Sequence, residues 1–184
     1  RQMCIRDRAT CVNRERKVLL LLPCTNKKPY YESPSWRYII SRIEPWRNNV
    51  DLGAVDCIID PSTGLPYGIV MEWEQEVTVG KDAYPSPQKI LELEEQIRRR
   101  LEKLGPYYTD IVAYINVKTY WEALEIVRSE FDIEMLPTVF NDKRNWNSSY
   151  SRMSPRGIFY KYVAELQNKL AILLNTITNC SIFP

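Results

Sequence analysis

Residues 17–36 read KVLLLLPCTNKKPYYESPSW. A lysine precedes five consecutive apolar residues, Val18–Leu22, and so short an unbroken run is typical of a strand buried on both faces. Pro23 ends the strand, and a loop leads to Ser33 and Pro34, which are residue types preferred at the N-cap and first position of a helix. The segment therefore predicts a strand, a loop and a helix in that order.

The same alternation of strands and helices continues along the chain. The further strands that we predict cover Val55–Ile59, Asp110–Ile115 and Met135–Phe140, with an irregular segment or short strand over Leu65–Val70. The predicted helices cover about Ser33–Glu44, Ser86–Leu104, Thr119–Glu130 and Ser154–Leu174. Alternation of this kind predicts the α/β class, as a three-layer α/β/α fold with a mostly parallel central sheet.

The length of 184 residues fits one domain. The first eight residues, Arg1–Arg8, resemble a translated sequencing adapter found at the ends of environmental reading frames, with a disordered basic arm as the alternative. We therefore expect residues 1–12 to be a non-native or disordered arm, residues 13–184 to form a single domain, and the source to be metagenomic.

Composition excludes several kinds of chemistry. The chain has no histidine, so Ser-His-Asp, Cys-His and His-metal mechanisms are absent, and any general base is Asp, Glu, Lys, Tyr or Cys. The net charge of +2 gives no dominant basic field for nucleic acid. The five cysteines show no CxxC spacing, and no run of 18 apolar residues occurs. We expect a cytoplasmic protein with no membrane contact, no metal and no cofactor.

The loop after the first strand is the candidate site, since ligands of open parallel sheets bind at the carboxyl ends of the strands. Cys24 lies beside lysines and close to a helix start, an environment that lowers the pKa of a thiol. The alternatives are a small packing residue for Cys24 and plain surface charge for Lys27.

The spacing of residues in this loop is specific. In order, the loop and helix start contain Pro23-Cys24, Lys28-Pro29-Tyr30, Ser33 and Trp36. This pattern resembles the signature of archaeosine synthase, an archaeal tRNA-modification family, which is Pro-Cys-x3-Lys-Pro-Tyr-x2-Ser-x2-His. Six of the seven named positions match, and tryptophan stands in place of the histidine. Residues 68–74 are loosely similar to the family's Gly-x-Val-Pro-x-Glu-x-Glu region.

The resemblance implies an amidine-forming transferase of archaeosine biosynthesis, in which the amine of lysine adds to the nitrile of 7-cyano-7-deazaguanine in tRNA. It suggests Cys24 as the nucleophile that forms a thioimidate. Lys28 or Tyr30 would protonate the nitrogen, and Glu72 or Glu74 would bind the incoming ammonium or act as base. The substrate-binding residues that we predict are Asn26, Lys27, Ser33 and Trp36. Without the resemblance, Tyr30 is a loop wedge, and the two glutamates are solvent-facing strand residues.

The whole family enzyme also has transglycosylase-like and tRNA-binding domains, and neither is found in this sequence. The expected partners are therefore tRNA or a modified nucleobase, an amine donor such as lysine, and separate transglycosylase or tRNA-binding subunits.

Trp36 leaves open whether the chain is active. It either stacks on a base or is a core residue of its helix, as its periodicity indicates. One alternative function is a non-catalytic module that binds 7-deazaguanine or a nucleotide. Another is a base-recognition domain of the DNA-glycosylase type, for which Asn26 and Asp60 are the candidate residues.

Overall fold

Five strands form one sheet in the computed structural model of the chain, which describes residues 15–25, 27–74, 87–147 and 155–175. The strands are β1 (Val18–Pro23), β2 (Val50–Ile59), β3 (Pro66–Met71), β4 (Asp110–Tyr114) and β5 (Ile133–Leu136). Their order across the sheet is β3-β2-β1-β4-β5, and β2–β3 is the antiparallel pair among parallel neighbours. The predicted arm over residues 1–12 lies outside the described residues.

Four helices cover the two faces of the sheet. They are α1 (Pro34–Arg42), α2 (Pro87–Leu104), α3 (Lys118–Phe131) and α4 (Pro155–Asn175). In β1, Leu19 and Leu21 pack with α2 and α3, whereas Leu20 and Leu22 pack with α1 and α4. Every residue of β1 is buried, because helices lie on both sides of it. The three-layer α/β/α fold and the mostly parallel sheet are confirmed.

The start of α1 follows the predicted capping chemistry. Pro34 occupies the first turn, and the Ser33 hydroxyl accepts a hydrogen bond from the backbone N–H of Trp36 at 3.3 Å. Within the described ranges, no helix combines the length and apolar character needed to cross a membrane.

Three strand boundaries differ from the prediction. β2 begins at Val50, five residues earlier than expected, because residues 50–54 already pair with residues 18–22 of β1. β5 is Ile133–Leu136 rather than Met135–Phe140, since Pro137 has no N–H to continue the pairing and the next residues turn in a 3-10 helix. The ambiguous segment is strand β3, and it runs antiparallel to β2 because the turn that joins them is too short for a crossover.

Candidate active site

The carboxyl ends of the four parallel strands meet at one edge of the sheet, which we call the carboxyl edge. Cys24 follows β1 directly, and its N–H donates to the carbonyl of Val55 in β2 at 3.0 Å. Tyr120 reaches the same edge from the first turn of α3, which follows β4. The predicted position of Cys24 at the carboxyl end of the first strand is therefore confirmed.

The Cys24 thiol is held by a phenol that also contacts a second thiol. Its Sγ lies 2.9 Å from the hydroxyl oxygen of Tyr120, and that oxygen lies 3.2 Å from Sγ of Cys57. Cys24 is half-buried, whereas Cys57 is buried within β2. The phenol thus connects the exposed side of the site to a buried thiol.

The expected lowering of the thiol pKa is wrong. Burial, followed by the negative charge of Asp56, raises the pKa of Cys24 from 9.0 to about 12. The hydrogen bond from Tyr120 and the charge of Lys28 act in the opposite direction but are smaller influences. Cys24 is therefore a protonated thiol at neutral pH.

A buried carboxylate organises the loop. Asp56 of β2 has no exposed surface, and it accepts hydrogen bonds from the Tyr30 hydroxyl and from the Ile58 N–H, the latter at 2.8 Å. Nζ of Lys28 lies 3.9 Å from Oδ2 of the same carboxylate and 5.4 Å from the centre of the Tyr30 ring. Burial, and then the charge of Asp56, raises the pKa of the Tyr30 phenol, so Tyr30 remains a donor.

Asp56 is a site residue that our sequence reasoning missed. The available signal was a single acidic residue inside Val55–Ile59, a segment predicted to be a buried strand. A buried carboxylate needs partners, so an acid at such a position marks a functional or structural contact.

Trp36 packs in the core. It is fully buried, its ring stacks on Tyr30 with centroids 5.4 Å apart, and Nε1 donates to the carbonyl of Pro23 at 3.0 Å. A ring without exposed surface has no face for a base, so the predicted stacking role is wrong in this structure and the core alternative holds. The side chain instead fixes the end of β1 against the loop.

The other predicted binding residues have local contacts. Ser33 is buried as the cap of α1, and Lys27 makes an exposed ion pair with Glu32 at 3.7 Å. Asn26 lies outside the described residues. Lys27 thus matches the alternative of surface charge.

Glu72 and Glu74 are not brought to Cys24. Because β3 runs antiparallel, its last residue, Met71, lies opposite Gly53, and the chain leaves towards the amino ends of the parallel strands. Glu72 receives two hydrogen bonds of 2.6 Å from Arg47, and Glu74 pairs with Arg100 at 2.6 Å. The expectation that Glu72 or Glu74 binds the incoming ammonium or acts as base beside Cys24 is therefore wrong in this structure, because β3 leads the chain away from the carboxyl edge.

Two cavities lie away from the thiol. One, of about 420 Å³, is lined by residues such as Tyr108 and Asp110 at the amino end of β4, and the other, of about 400 Å³, lies between β3 and α2. Neither is lined by Cys24 or by the start of α1, so neither lies at the candidate site.

Of the glycosylase-type candidates, Asp60 caps its own turn by accepting from the N–H and hydroxyl of Ser62, each at 2.8 Å. These hydrogen bonds hold the pKa of Asp60 below its usual range.

The carboxyl edge therefore combines a neutral thiol, a bridging phenol and an ammonium group beside a buried carboxylate. Such a set is suited to addition of a thiol to a polarised carbon, with acidic groups nearby to protonate the atom that gains charge. Among the described residues, no three Cys, Asp or Glu side chains are grouped as metal ligands.

The fold and this edge define an α/β domain with a thiol-centred candidate site. Residues 4–155 match the family described as Domain of unknown function (DUF5591), and the chain belongs to that family. The chain is also similar to a solved structure titled "Crystal structure of AF0587, a protein of unknown function", with 24% identity and a TM-score of 0.43. That similarity covers 65% of this chain and 37% of the other, so the chain spans well under half of its relative. No curated protein matches the chain.

Proposed function

We propose that this domain adds an amine to the nitrile of 7-cyano-7-deazaguanine in tRNA, as the resemblance to archaeosine synthase implies. The observation that carries the proposal is the meeting of three signature residues at one edge. Cys24 supplies a thiol there, while Lys28 and Tyr30 are held together by Asp56. Asp56 and Tyr120 come from a different strand and helix, so their contacts with the three signature residues do not follow from the loop spacing, and these contacts support a chemical role.

The chemistry of the edge fits thioimidate formation. Sγ of Cys24 bonds to the nitrile carbon, one π bond of the nitrile breaks, and the thiol proton ends on the nitrile nitrogen. No net charge is created, so a thiol that is protonated at neutral pH is the appropriate starting form. Lys28, whose side chain is 21% exposed, offers an ammonium group that stabilises negative charge as it develops.

The second half of the reaction releases the enzyme. The incoming amine, for which lysine is the proposed donor, bonds to the thioimidate carbon while the carbon–sulfur bond breaks. An amine proton returns to sulfur, leaving an amidine and a neutral thiol. The tRNA, the donor, and separate transglycosylase or tRNA-binding subunits in the cytoplasm are the partners in this proposal.

The test is product formation on tRNA. The chain is incubated with lysine and with tRNA that carries 7-cyano-7-deazaguanine, and the digested nucleosides are analysed by mass spectrometry. We expect the lysine amidine with the wild type and with Cys57→Ser, and its loss with Cys24→Ser. Absence of the amidine with the wild type, or its formation at the wild-type rate by Cys24→Ser, contradicts the proposal.

A non-catalytic binding module is the second candidate, and two observations favour it. The signature histidine is replaced by Trp36, which is buried, and the pKa of Cys24 is raised to about 12. In this case, calorimetry detects binding of 7-cyano-7-deazaguanine, weakened by Lys28→Met, and mass spectrometry detects neither adduct nor amidine. Absence of binding contradicts this second candidate.

A further inference from the structure

Tyr120 has a position at the carboxyl edge that the signature does not include. Its hydroxyl oxygen touches the two thiols of Cys24 and Cys57, at 2.9 and 3.2 Å. The side chain is 6% exposed, and its ring packs in the core beneath α3. A buried residue therefore places one polar atom within hydrogen-bond distance of the proposed nucleophile.

We propose that Tyr120 is a catalytic residue, whose hydroxyl carries the proton between Cys24 and the substrate nitrogen. This inference rests on the proposed function for the identity of the substrate, whereas the contact between the phenol and the thiol stands independently. A phenol is both a donor and an acceptor, which is what transfer of a proton between two neighbours requires.

The geometry favours the phenol over the other acidic groups as the proton carrier. Lys28 and Tyr30 are bound to Asp56, and Asp56 lies on the strand face that packs with α1. The hydroxyl oxygen of Tyr120, in contrast, lies within hydrogen-bond distance of Sγ of Cys24, at 2.9 Å. In a thioimidate the nitrogen is one bond from the carbon that Sγ attacks, so a hydroxyl in contact with Sγ lies beside it.

The proposed proton transfer needs no additional reactant. As the sulfur–carbon bond forms, the Cys24 proton passes to the oxygen of Tyr120 and the phenolic proton passes to the nitrile nitrogen. When the amine later displaces sulfur, the transfer runs in reverse and restores both groups. Burial raises the pKa of Tyr120, which keeps its proton in place between turnovers.

Cys57 is the second thiol that contacts the phenol, and the proposed proton transfer does not pass through it. It is 4% exposed and contacts the phenol from the side of β2. Serine preserves a small polar group at the same position. We therefore expect Cys57→Ser to react at close to the wild-type rate.

The test compares Tyr120→Phe with Tyr114→Phe. Tyr114 is the matched control, because it is also a buried tyrosine, and its hydroxyl donates to a backbone carbonyl, that of Phe159, at 2.9 Å. The first readout is the rate at which iodoacetamide alkylates Cys24 at pH 8, followed by peptide mapping. The second readout is the rate of adduct formation with free 7-cyano-7-deazaguanine, measured by intact mass. Thermal unfolding shows that each variant is folded at the assay temperature.

Loss of the hydrogen bond to the Cys24 thiolate should slow alkylation of Tyr120→Phe about tenfold, with little change for Tyr114→Phe. Adduct formation should fall by about a hundredfold or more, the usual contribution of general acid–base groups. If alkylation slows but the wild type forms no adduct, the nitrile substrate is wrong and the control of the Cys24 proton by Tyr120 is supported. Wild-type alkylation and adduct rates in Tyr120→Phe overturn the assignment of Tyr120.

Discussion

Replacement of Asp56 by asparagine should lower stability and, at the same time, make Cys24 more reactive. Asp56 accepts hydrogen bonds from Tyr30 and the Ile58 N–H, and Lys28 lies 3.9 Å away. Hydrogen bonds to a charged group contribute about 1.5–3 kcal/mol each, and loss of one partner of a buried pair costs about 3–5 kcal/mol. Asparagine keeps the shape and one acceptor, so we expect a loss of about 2–4 kcal/mol of unfolding free energy.

Asp51 provides a matched control on the same strand. It also contacts a tyrosine hydroxyl, that of Tyr108 at 2.8 Å, and a lysine, Lys17 at 2.9 Å, but it lies at the amino end of β2 and is partly exposed. Because partly exposed ion pairs contribute little, Asp51→Asn should cost about 1 kcal/mol or less. In thermal unfolding, Asp56→Asn should lower Tm by about 4–16 °C, and Asp51→Asn by a few degrees at most.

The same variant should be less stable but should have a more reactive Cys24 thiol. The charge of Asp56 raises the pKa of Cys24, so its removal should lower that pKa and speed alkylation of Cys24 severalfold at pH 8. Asp51→Asn should leave the alkylation rate unchanged. The assay is iodoacetamide labelling with peptide mapping, well below the unfolding temperature. Equal stability losses in the two variants, or slower labelling in Asp56→Asn, would refute the role given to the buried carboxylate.

Three further predictions follow from the same contacts. The pKa of Cys24 is raised from 9.0 to about 12 in the folded state, so the contribution of Cys24 to stability is complete below pH 9 and is lost as the pH rises towards 12. Between pH 9 and pH 10, urea unfolding should show that the unfolding free energy falls by about 1 kcal/mol, a fall that Cys24→Ser lacks. Trp36→Phe should cost about 2–4 kcal/mol in the same assay, because the carbonyl of Pro23 loses its donor and the core loses volume, and a cost below 1 kcal/mol contradicts this. Glu72→Gln and Glu74→Gln should leave Cys24 labelling and adduct formation at wild-type rates, and a large loss of adduct formation would restore their predicted catalytic role.

Much of the fold was predictable from local patterns. The apolar run before Pro23 specified a strand buried on both faces, and Ser33-Pro34 specified the helix start, because both signals depend on short-range chemistry. The direction of β3 was not predictable from its own residues. It depends on a short turn between two strands, and it decides on which edge of the sheet Glu72 and Glu74 lie.

The candidate site was predictable only in part. The signature gave Cys24, Lys28 and Tyr30, whereas Asp56 and Tyr120 reach the site from a different strand and helix, at sequence distances that no local pattern covers. The error over the Cys24 pKa has a physical cause. Neighbouring lysines are visible in the sequence, but burial and the charge of Asp56, which outweigh them, arise from packing.

Intact-mass analysis after incubation with free 7-cyano-7-deazaguanine tests most directly the claim that Cys24 adds to a nitrile. The proposed chemistry predicts one adduct with the mass of the whole nucleobase, since thiol addition to a nitrile expels no group. Peptide mapping should place the adduct on Cys24, and Cys24→Ser should abolish it while Cys57→Ser retains it. No adduct on the folded wild type, or an adduct that persists in Cys24→Ser, contradicts the claim.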